Sequence, residues 1–425
     1  MEFRMKNPLH PALAHAGSFR TLSHGRALWL QGLLLVSFLA ASSVPSPLYA
    51  IYRSIWGFSP LMLTVVFASY AIALLLALVV FGGLSDFRGR REVIVGAVLL
   101  EMLALVLFWQ ADSVGWLLAA RIVQGVATGI ATSAIGAGLL DLHRERGPLI
   151  NSVAPMVGLG VGALAAGLLV QFAPAPTRLV FDVLLLVFAL QLVAAFFLPE
   201  TAARRPGALR SLAPLIAIPL QARPTLRRVL PVNTAQWALG GFYFSLGPTL
   251  ARAVTGNDSA LVGGVLLGVL ALASASAVAL GRHLPPRRTV RLGAAGLVLG
   301  VLGTLAGVHW SWAAVALGGT VVSGTGFGLA FSGSLRSLVP LAQPHQRASL
   351  MAAFLVASYL AFSIPAIVAG LLTSHFGLHT TALAYGLGVA VLAAAALAAS
   401  PGPASAPAAR KALDGGPGGA GEVRP

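Results

Sequence analysis

The sequence predicts an all-α polytopic membrane protein of 12 transmembrane helices, arranged as two six-helix bundles related by a pseudo-two-fold axis. Three observations lead there. Only 9% of the 425 residues are charged while 57% are hydrophobic, whereas soluble domains carry about 25% charged residues. Twelve acids and 28 bases cannot solvate the surface of a 43.5 kDa particle, so much of that surface must face lipid. Apolar runs recur at the length needed to cross roughly 30 Å of hydrocarbon, about 20 residues each. The bases gather in alternate connections, as the positive-inside rule requires.

Residues 1–26 form a basic cytoplasmic tail with Arg4, Lys6, Arg20 and Arg26. The apolar stretch 27–50 exceeds the cleavable core of a signal peptide, about 7 to 15 residues, and reads as a retained first span. Spans two to six cover 61–84, 92–110, 114–139, 149–171 and 179–198, completing a first bundle over 27–199. Residues 200–228, with prolines and six arginines, read as a cytoplasmic linker. Its apolar patch Leu212–Leu220 suits a short interfacial helix or a loosely ordered connector. Spans seven to twelve cover 229–251, 260–281, 290–308, 311–335, 347–373 and 379–400, a second bundle over 229–400. The Gly, Pro and Ala-rich residues 401–425 lack apolar periodicity and read as a disordered tail.

This layout sorts the bases. Twenty-four of the 28 fall on one side, only Arg53, Arg178 and Arg252 on the other, and Arg121 alone lies within a span. Both termini are therefore expected in the cytoplasm, and the chain in the plasma membrane, the inner membrane of a bacterium. The two halves also echo one another: Gly281 follows Gly82, Gly324 follows Gly125 and Gly328 follows Gly129 by 199 residues, and Ala-Gly370-Leu-Leu follows Ala-Gly167-Leu-Leu by 203. Paired related bundles enclosing a midplane site are what alternating access requires.

Between spans two and three stands Gly82-Gly83-Leu84-Ser85-Asp86-Phe87-Arg88-Gly89-Arg90-Arg91. Gly82 permits close helix approach and Gly89 a tight turn; Asp86 can cap the next helix or pair with an arginine of the neighbouring bundle. Span four carries Arg121-Ile-Val-Gln124-Gly125. A guanidinium inside a bilayer costs about 2.5 to 3.5 kcal/mol on insertion scales, so Arg121 faces the interior or snorkels. Glu101 of span three lies at roughly the same depth, and the two are expected to pair as a proton-sensitive switch, the alternative being a neutral Glu101 facing another helix. Asp182 follows Arg178 by four residues, the spacing of an ordinary helical ion pair. Span five contains Ala154-Pro155-Met-Val-Gly158-Leu-Gly160-Val-Gly162, and span six ends in Leu198-Pro199-Glu200-Thr201.

These segments resemble the major facilitator superfamily over about residues 27–400. The loop after span two is similar to its cytoplasmic signature, glycine, three residues, aspartate, two residues, glycine, then two bases, except that Phe87 stands where a base is usual and Arg88 follows. The span-four motif is similar to the signature whose arginine is associated with proton coupling. The span-five run looks like a degraded antiporter signature, with alanine for the first glycine and the glycine pair split, and Leu198–Thr201 looks like the usual exit from the first half.

The resemblance implies a secondary transporter whose passage is lined by spans one, four, seven and ten. Latching is assigned to Gly82, Asp86, Arg88, Gly89, Arg90 and Arg91, and proton coupling to Arg121, Glu101 and Asp182. Cavity candidates in span one are Ser42, Ser46 and Tyr49, beside Ser43, Pro45 and Pro47, where prolines open helical bonding next to a cavity. Gln124, Asn233, Gln236, Trp237, Tyr243, Ser323, Phe327 and Phe331 complete them, with Thr325 nearby. Few charges and several rings suit an apolar or amphipathic solute.

The expected activity is proton-coupled efflux of drug-like or metabolite molecules, with uptake symport of a sugar or organic acid as the alternative. Expected partners are membrane lipid, a small-molecule substrate and protons, for a monomeric protein without cofactor or metal. The formal charge of +16 is dispersed in short loop clusters and forms no nucleic-acid stripe. No cysteine is present, which removes disulfides and thiolate chemistry. No His and acid cluster, nucleophile motif or phosphate loop suggests an enzyme.

Overall fold

The computed structural model of the chain describes residues 21–208, 212, 217–343 and 346–399. Arg4, Lys6 and Arg20, most of the linker's apolar patch, and the tail 401–425 lie outside the described residues. Regular structure among the described residues is helical throughout.

The first expected span is broken into α1 (His24–Ser43) and α2 (Pro45–Trp56) at Val44. The cause is local, since Pro45 and Pro47 lack the N–H groups that would close the turn on α1. Next come α3 (Pro60–Phe81), the one-turn α4 (Ser85–Arg88), α5 (Arg90–Trp109), α6 (Val114–Leu142), α7 (Arg146–Phe172) and α8 (Leu179–Ala195). The second half holds α9 (Arg223–Thr255), α10 (Ala260–Leu280), α11 (Pro286–His309), α12 (Ala313–Leu338), α13 (Arg347–Phe376) and α14 (Leu378–Ala398). Helix starts follow the usual chemistry: Ser59 accepts from Met62 N at 3.1 Å and Ser259 from Leu261 N at 3.1 Å, while Pro60 and Pro286 open α3 and α11.

Counting α1 and α2 as one broken span and setting aside the one-turn loop helix α4, these helices supply the expected 12. Ten stretches, among the described residues, are long and apolar enough to cross a membrane. Helix α8 is shorter at 17 residues, and α9, six residues longer at its start than the predicted span, carries Asn233, Thr234 and Gln236 in its body. The outside of the molecule is correspondingly greasy. Leu186, Leu190 and Val193 form one stripe on α8 at 60 to 65% exposure, a surface suited to lipid.

Packing repeats between the halves. Helices α3 and α6 cross as α10 and α12 do; α1 lies on α7 as α9 lies on α13; α5 and α8 pair as α11 and α14 do. At these crossings the glycines pair as their spacing predicts. A side chain on Gly125 would strike Ala73 of α3, and one on Gly324 would meet Ala273 of α10, 200 residues on. The halves meet along two seams, α7 on α10 and α3 on α13. Gly167 faces Leu261 and Gly264 in one, Gly370 faces Thr64 in the other. Small residues let these backbones approach closely, which is how helices associate where no hydrophobic effect separates protein from solvent. The glycines of the span-five run divide their work: Gly158 and Gly162 press on α1, Gly160 on Leu272 of α10.

Candidate functional site

A cavity of about 200 Å³ lies between the halves. Its first-half wall is Leu39, Ser42, Phe67, Tyr70, Leu74, Thr132 of α6 and residues of α7 from Asn151 to Leu159; its second-half wall is Trp237, Gly240, Phe244 and residues of α10, α12 and α13. It extends toward the arginine-rich face, where Asn151, Ser152, Leu335 and Met351 line it. Toward the opposite face it is stopped by Phe67 against Phe362, ring centroids 5.0 Å apart, and by the glycine seams beyond.

The second-half wall is an aromatic box. Trp237 is surrounded by Tyr359 at 5.1 Å, Phe362 at 5.7 Å, Phe327 at 6.1 Å and Phe331 at 6.2 Å. Its indole N–H is buried without a hydrogen-bond partner among the described residues. Rings at these separations hold one another in place, and a donor-only N–H so placed invites an acceptor. Beside the box, Asn233 Nδ2 donates to Ser358 Oγ at 2.9 Å and Gln236 Nε2 to Asn233 Oδ1 at 3.1 Å.

Behind the first-half wall sits an ionic cluster. Arg121 and Glu101 are both fully buried, so Arg121 faces the interior and does not snorkel. Its Nε donates to Tyr49 Oη at 2.6 Å, and its Nη1 to Ser42 O at 2.8 Å and Gln124 Oε1 at 2.7 Å. The Ser42 carbonyl lies in the last turn of α1, where a helix leaves carbonyls without intrahelical donors and favours a cation. The proline break that ends α1 thus makes part of the arginine's site. The guanidinium also lies over the rings of Tyr70 at 5.0 Å and Tyr49 at 5.5 Å, favourable contacts for a desolvated cation.

The expected direct pairing of Arg121 with Glu101 is corrected here: Gln124 stands between them, its Nε2 donating to Glu101 Oε1 at 3.0 Å. A guanidinium offers no acceptor and a carboxylate no donor, so the two neighbours dictate which way the amide points. Adding a proton to Glu101 removes that dictate, which gives the cluster two hydrogen-bonding states. Arg121 Nη2 and Glu101 Oε2 have no partner among the described residues. Asp182 does not join the cluster. It is exposed on α8, and its expected ion pair is not formed; Arg178 stacks instead on Trp109 at 5.1 Å.

In the loop after α3, Gly89 adopts φ +98°, the left-handed region a turn demands, and any side chain there would strike the Glu200 carboxylate. Asp86 was expected to cap the next helix or reach the other bundle, and it does neither. It pairs with Arg90 at 2.6 Å, one turn on, and Glu200 caps α5 by accepting from Arg90 N at 2.6 Å and Arg91 N at 3.2 Å. A carboxylate at a helix start suits the dipole as well as the free N–H groups. Arg90 is the hub, also donating to Ser85 Oγ at 2.6 Å and Asp141 Oδ2 at 3.2 Å. Arg88 forms an exposed pair with Glu92 at 3.6 Å, and Gly82 lies near Ser133 of α6.

Of the residues predicted to line the cavity, Ser42, Trp237, Phe327 and Phe331 do so. Tyr49 and Gln124 belong to the ionic cluster, with Ser46 buried near them. Tyr243 and Ser323 are buried within the second half, away from this cavity. Thr325 bonds its own helix at Val321 O. Phe67, Tyr70, Tyr359 and Phe362 line the cavity from α3 and α13, outside spans one, four, seven and ten on which the expectation rests. Their signal is a spacing: Phe67 and Tyr70 on α3, and Tyr359 and Phe362 on α13, each sit three residues apart on one helix face.

The chain matches the family model described as the Major Facilitator Superfamily over residues 32–364. Among curated proteins it is similar to Citrate exporter 1 of Aspergillus niger, 32% identical over 114 residues, 26% of this chain. That match spans 22% of the exporter's length. Among solved structures, a bacterial homolog to the human lysosomal transporter Spinster, inward-facing and occupied, superposes with a TM-score of 0.73 at 15% identity, covering 90% of this chain and 98% of that one. The E. coli xylose transporter XylE gives 0.69 at 15%, covering 88% and 96%. The human organic anion transporter MFSD10 (TETRAN) gives 0.66 at 18%, covering 88% and 100%. At these identities the likeness is one of fold.

Proposed function

The chain belongs to the Major Facilitator Superfamily, and from that premise we propose that it is a secondary transporter exporting drug-like or metabolite molecules across the plasma membrane in exchange for protons. The observation that carries the reading is the position of the buried Arg121–Gln124–Glu101 relay directly behind the cavity wall: Ser42 and Tyr70 line the cavity on one side and contact Arg121 on the other. A proton arriving at Glu101 alters the hydrogen bonding of Gln124 and Arg121, and with it the wall that the solute touches.

In this reading the halves 27–199 and 229–400 rock about the α7–α10 and α3–α13 seams, with both termini and the linker 200–228 in the cytoplasm. The apolar aromatic box suits a ringed or amphipathic solute bearing an acceptor for Trp237. Arg90 and its carboxylate partners tie down the face toward which the cavity extends. The chain works as a monomer.

The test is transport by purified protein in proteoliposomes under an imposed pH gradient, across a panel of aromatic and amphipathic solutes. The expected result is solute accumulation that collapses with a protonophore. Transport indifferent to the gradient overturns the coupling, and no transport across the panel overturns the transporter reading.

A further inference from the structure

The interiors of the two halves differ in how they are filled. In the first, Tyr49, Glu101, Arg121 and Gln124 occupy the middle of the bundle. In the second, Thr320 and Ser323 stand 199 residues on from Arg121 and Gln124. Tyr243 takes the part of Tyr49, its hydroxyl 3.1 Å from Thr304 Oγ1 and 3.1 Å from Thr320 Oγ1. Threonine and serine are smaller than arginine and glutamine, and beside them lies a second cavity of about 340 Å³, within the second half.

Its walls are aliphatic and aromatic, with Leu250, Val254, Val265, Leu266, Val301 and Leu305 among them. The inner hydroxyls that reach it are satisfied, Tyr243 and Thr304 by one another and Tyr385 by donating to Ala238 O at 2.7 Å. Satisfied polar groups and apolar walls exclude water and favour an apolar guest, and the volume lies within the range of about 300 to 1,000 Å³ found for ligand sites. The exposed Thr255, Asn257 and Leu317 mark its mouth, at the end away from the arginine-rich loops. Half-buried Arg252 stands beside that mouth, with Arg53 and Asp258 within electrostatic reach. Two of the three bases on that face of the molecule therefore meet at one place.

We propose that this cavity binds one alkyl chain of a membrane lipid, whose phosphate is held at the mouth by Arg252. An apolar slot opening at the end of membrane-spanning helices, with cations at the rim, matches an amphipath with a phosphate head and a hydrocarbon tail. The site is separate from the central cavity and does not depend on what that cavity transports.

The test uses full-length protein in nanodiscs containing phosphatidylglycerol with a photoreactive diazirine on its acyl chain, followed by peptide mapping. Label is expected in Leu250–Thr255 and in Val301–Val308. Val265→Trp fills the slot and should reduce that labelling roughly tenfold, with labelling of the lipid-facing α8 stripe unchanged. Val262→Phe, nearer the mouth, gives the same reading should the first variant fail to fold. Arg252→Gln should weaken competition by unlabelled phosphatidylglycerol by about tenfold. Absence of label from both peptides, or labelling that neither filling variant lowers, overturns the site; competition unchanged in Arg252→Gln overturns the phosphate contact.

Discussion

Gly125 and Gly129 of α6 and Gly324 and Gly328 of α12 hold equivalent crossings in the two halves, yet the residues just before them differ in kind. The first half places Arg121 and Gln124 there, the second Thr320 and Ser323. A seam where backbones touch accepts no side chain, so both halves have glycine. A bundle interior accepts any set of groups that satisfies itself, ionic in one half and hydroxyl in the other. The loops show the same divergence. After α3, Arg90 binds carboxylates, whereas the loop after α10 is held by Arg336 from the end of α12, which donates to the carbonyls of Arg282 at 2.7 Å and Leu284 at 3.0 Å and to Thr289 Oγ1 at 2.9 Å. Shared packing and unshared chemistry leave the buried ionic cluster in the first half, which is where the proposed proton coupling would lie.

The largest expected effect tests that assignment. Arg121→Ala strands Glu101 and Gln124 without the cation, and proton-driven transport in proteoliposomes should fall at least ~100-fold, the equivalent of about 3 kcal/mol for breaking a buried charge network. Thermal melting of the variant should still show a folded protein. Arg121→Lys should not restore transport, because one ammonium cannot serve Tyr49, the Ser42 carbonyl and Gln124 in the geometry of a guanidinium.

Next in size are the crossings, where the halves should behave alike. Gly125→Ala and Gly324→Ala each push a methyl group into the facing helix, and each should cost about 1 to 3 kcal/mol of stability, read as a lowered melting temperature. A large loss in one half with none in the other breaks the structural equivalence. The smallest effect is expected at Thr320→Val, the counterpart of Arg121. It removes one hydroxyl from a neutral cluster at a cost of about 1 kcal/mol, and transport should stay within about threefold of the parent protein. A loss as deep as that of Arg121→Ala would show that both interiors serve coupling.

Much of the fold is legible in the sequence. The limits of α3, α5, α7 and α10 fall within a few residues of the apolar runs, since hydrocarbon thickness sets helix length and proline or glycine marks the ends. The break at Val44 was foreshadowed by Pro45 and Pro47. Less of the site was legible. Glu200 carries no sign in sequence that it caps a helix more than a hundred residues upstream, and Asp86 pairs locally with Arg90, neither capping the next helix nor reaching the other bundle. Tyr70 and Tyr359 were passed over because depth in the membrane can be counted along a span, but rotation about its axis cannot.

What the amino-acid sequence determined by itself is that lipid surrounds this chain, that it crosses in 12 spans, and that a lone arginine and a lone glutamate lie at similar depth inside. Those are one-dimensional quantities, set by run length and charge placement. Only the tertiary structure decided that Gln124 separates that arginine from that glutamate, that four rings enclose Trp237, and that the second half is left with an apolar slot. Each depends on how neighbouring helices are turned toward one another, and glycine-by-glycine packing fixes that turn.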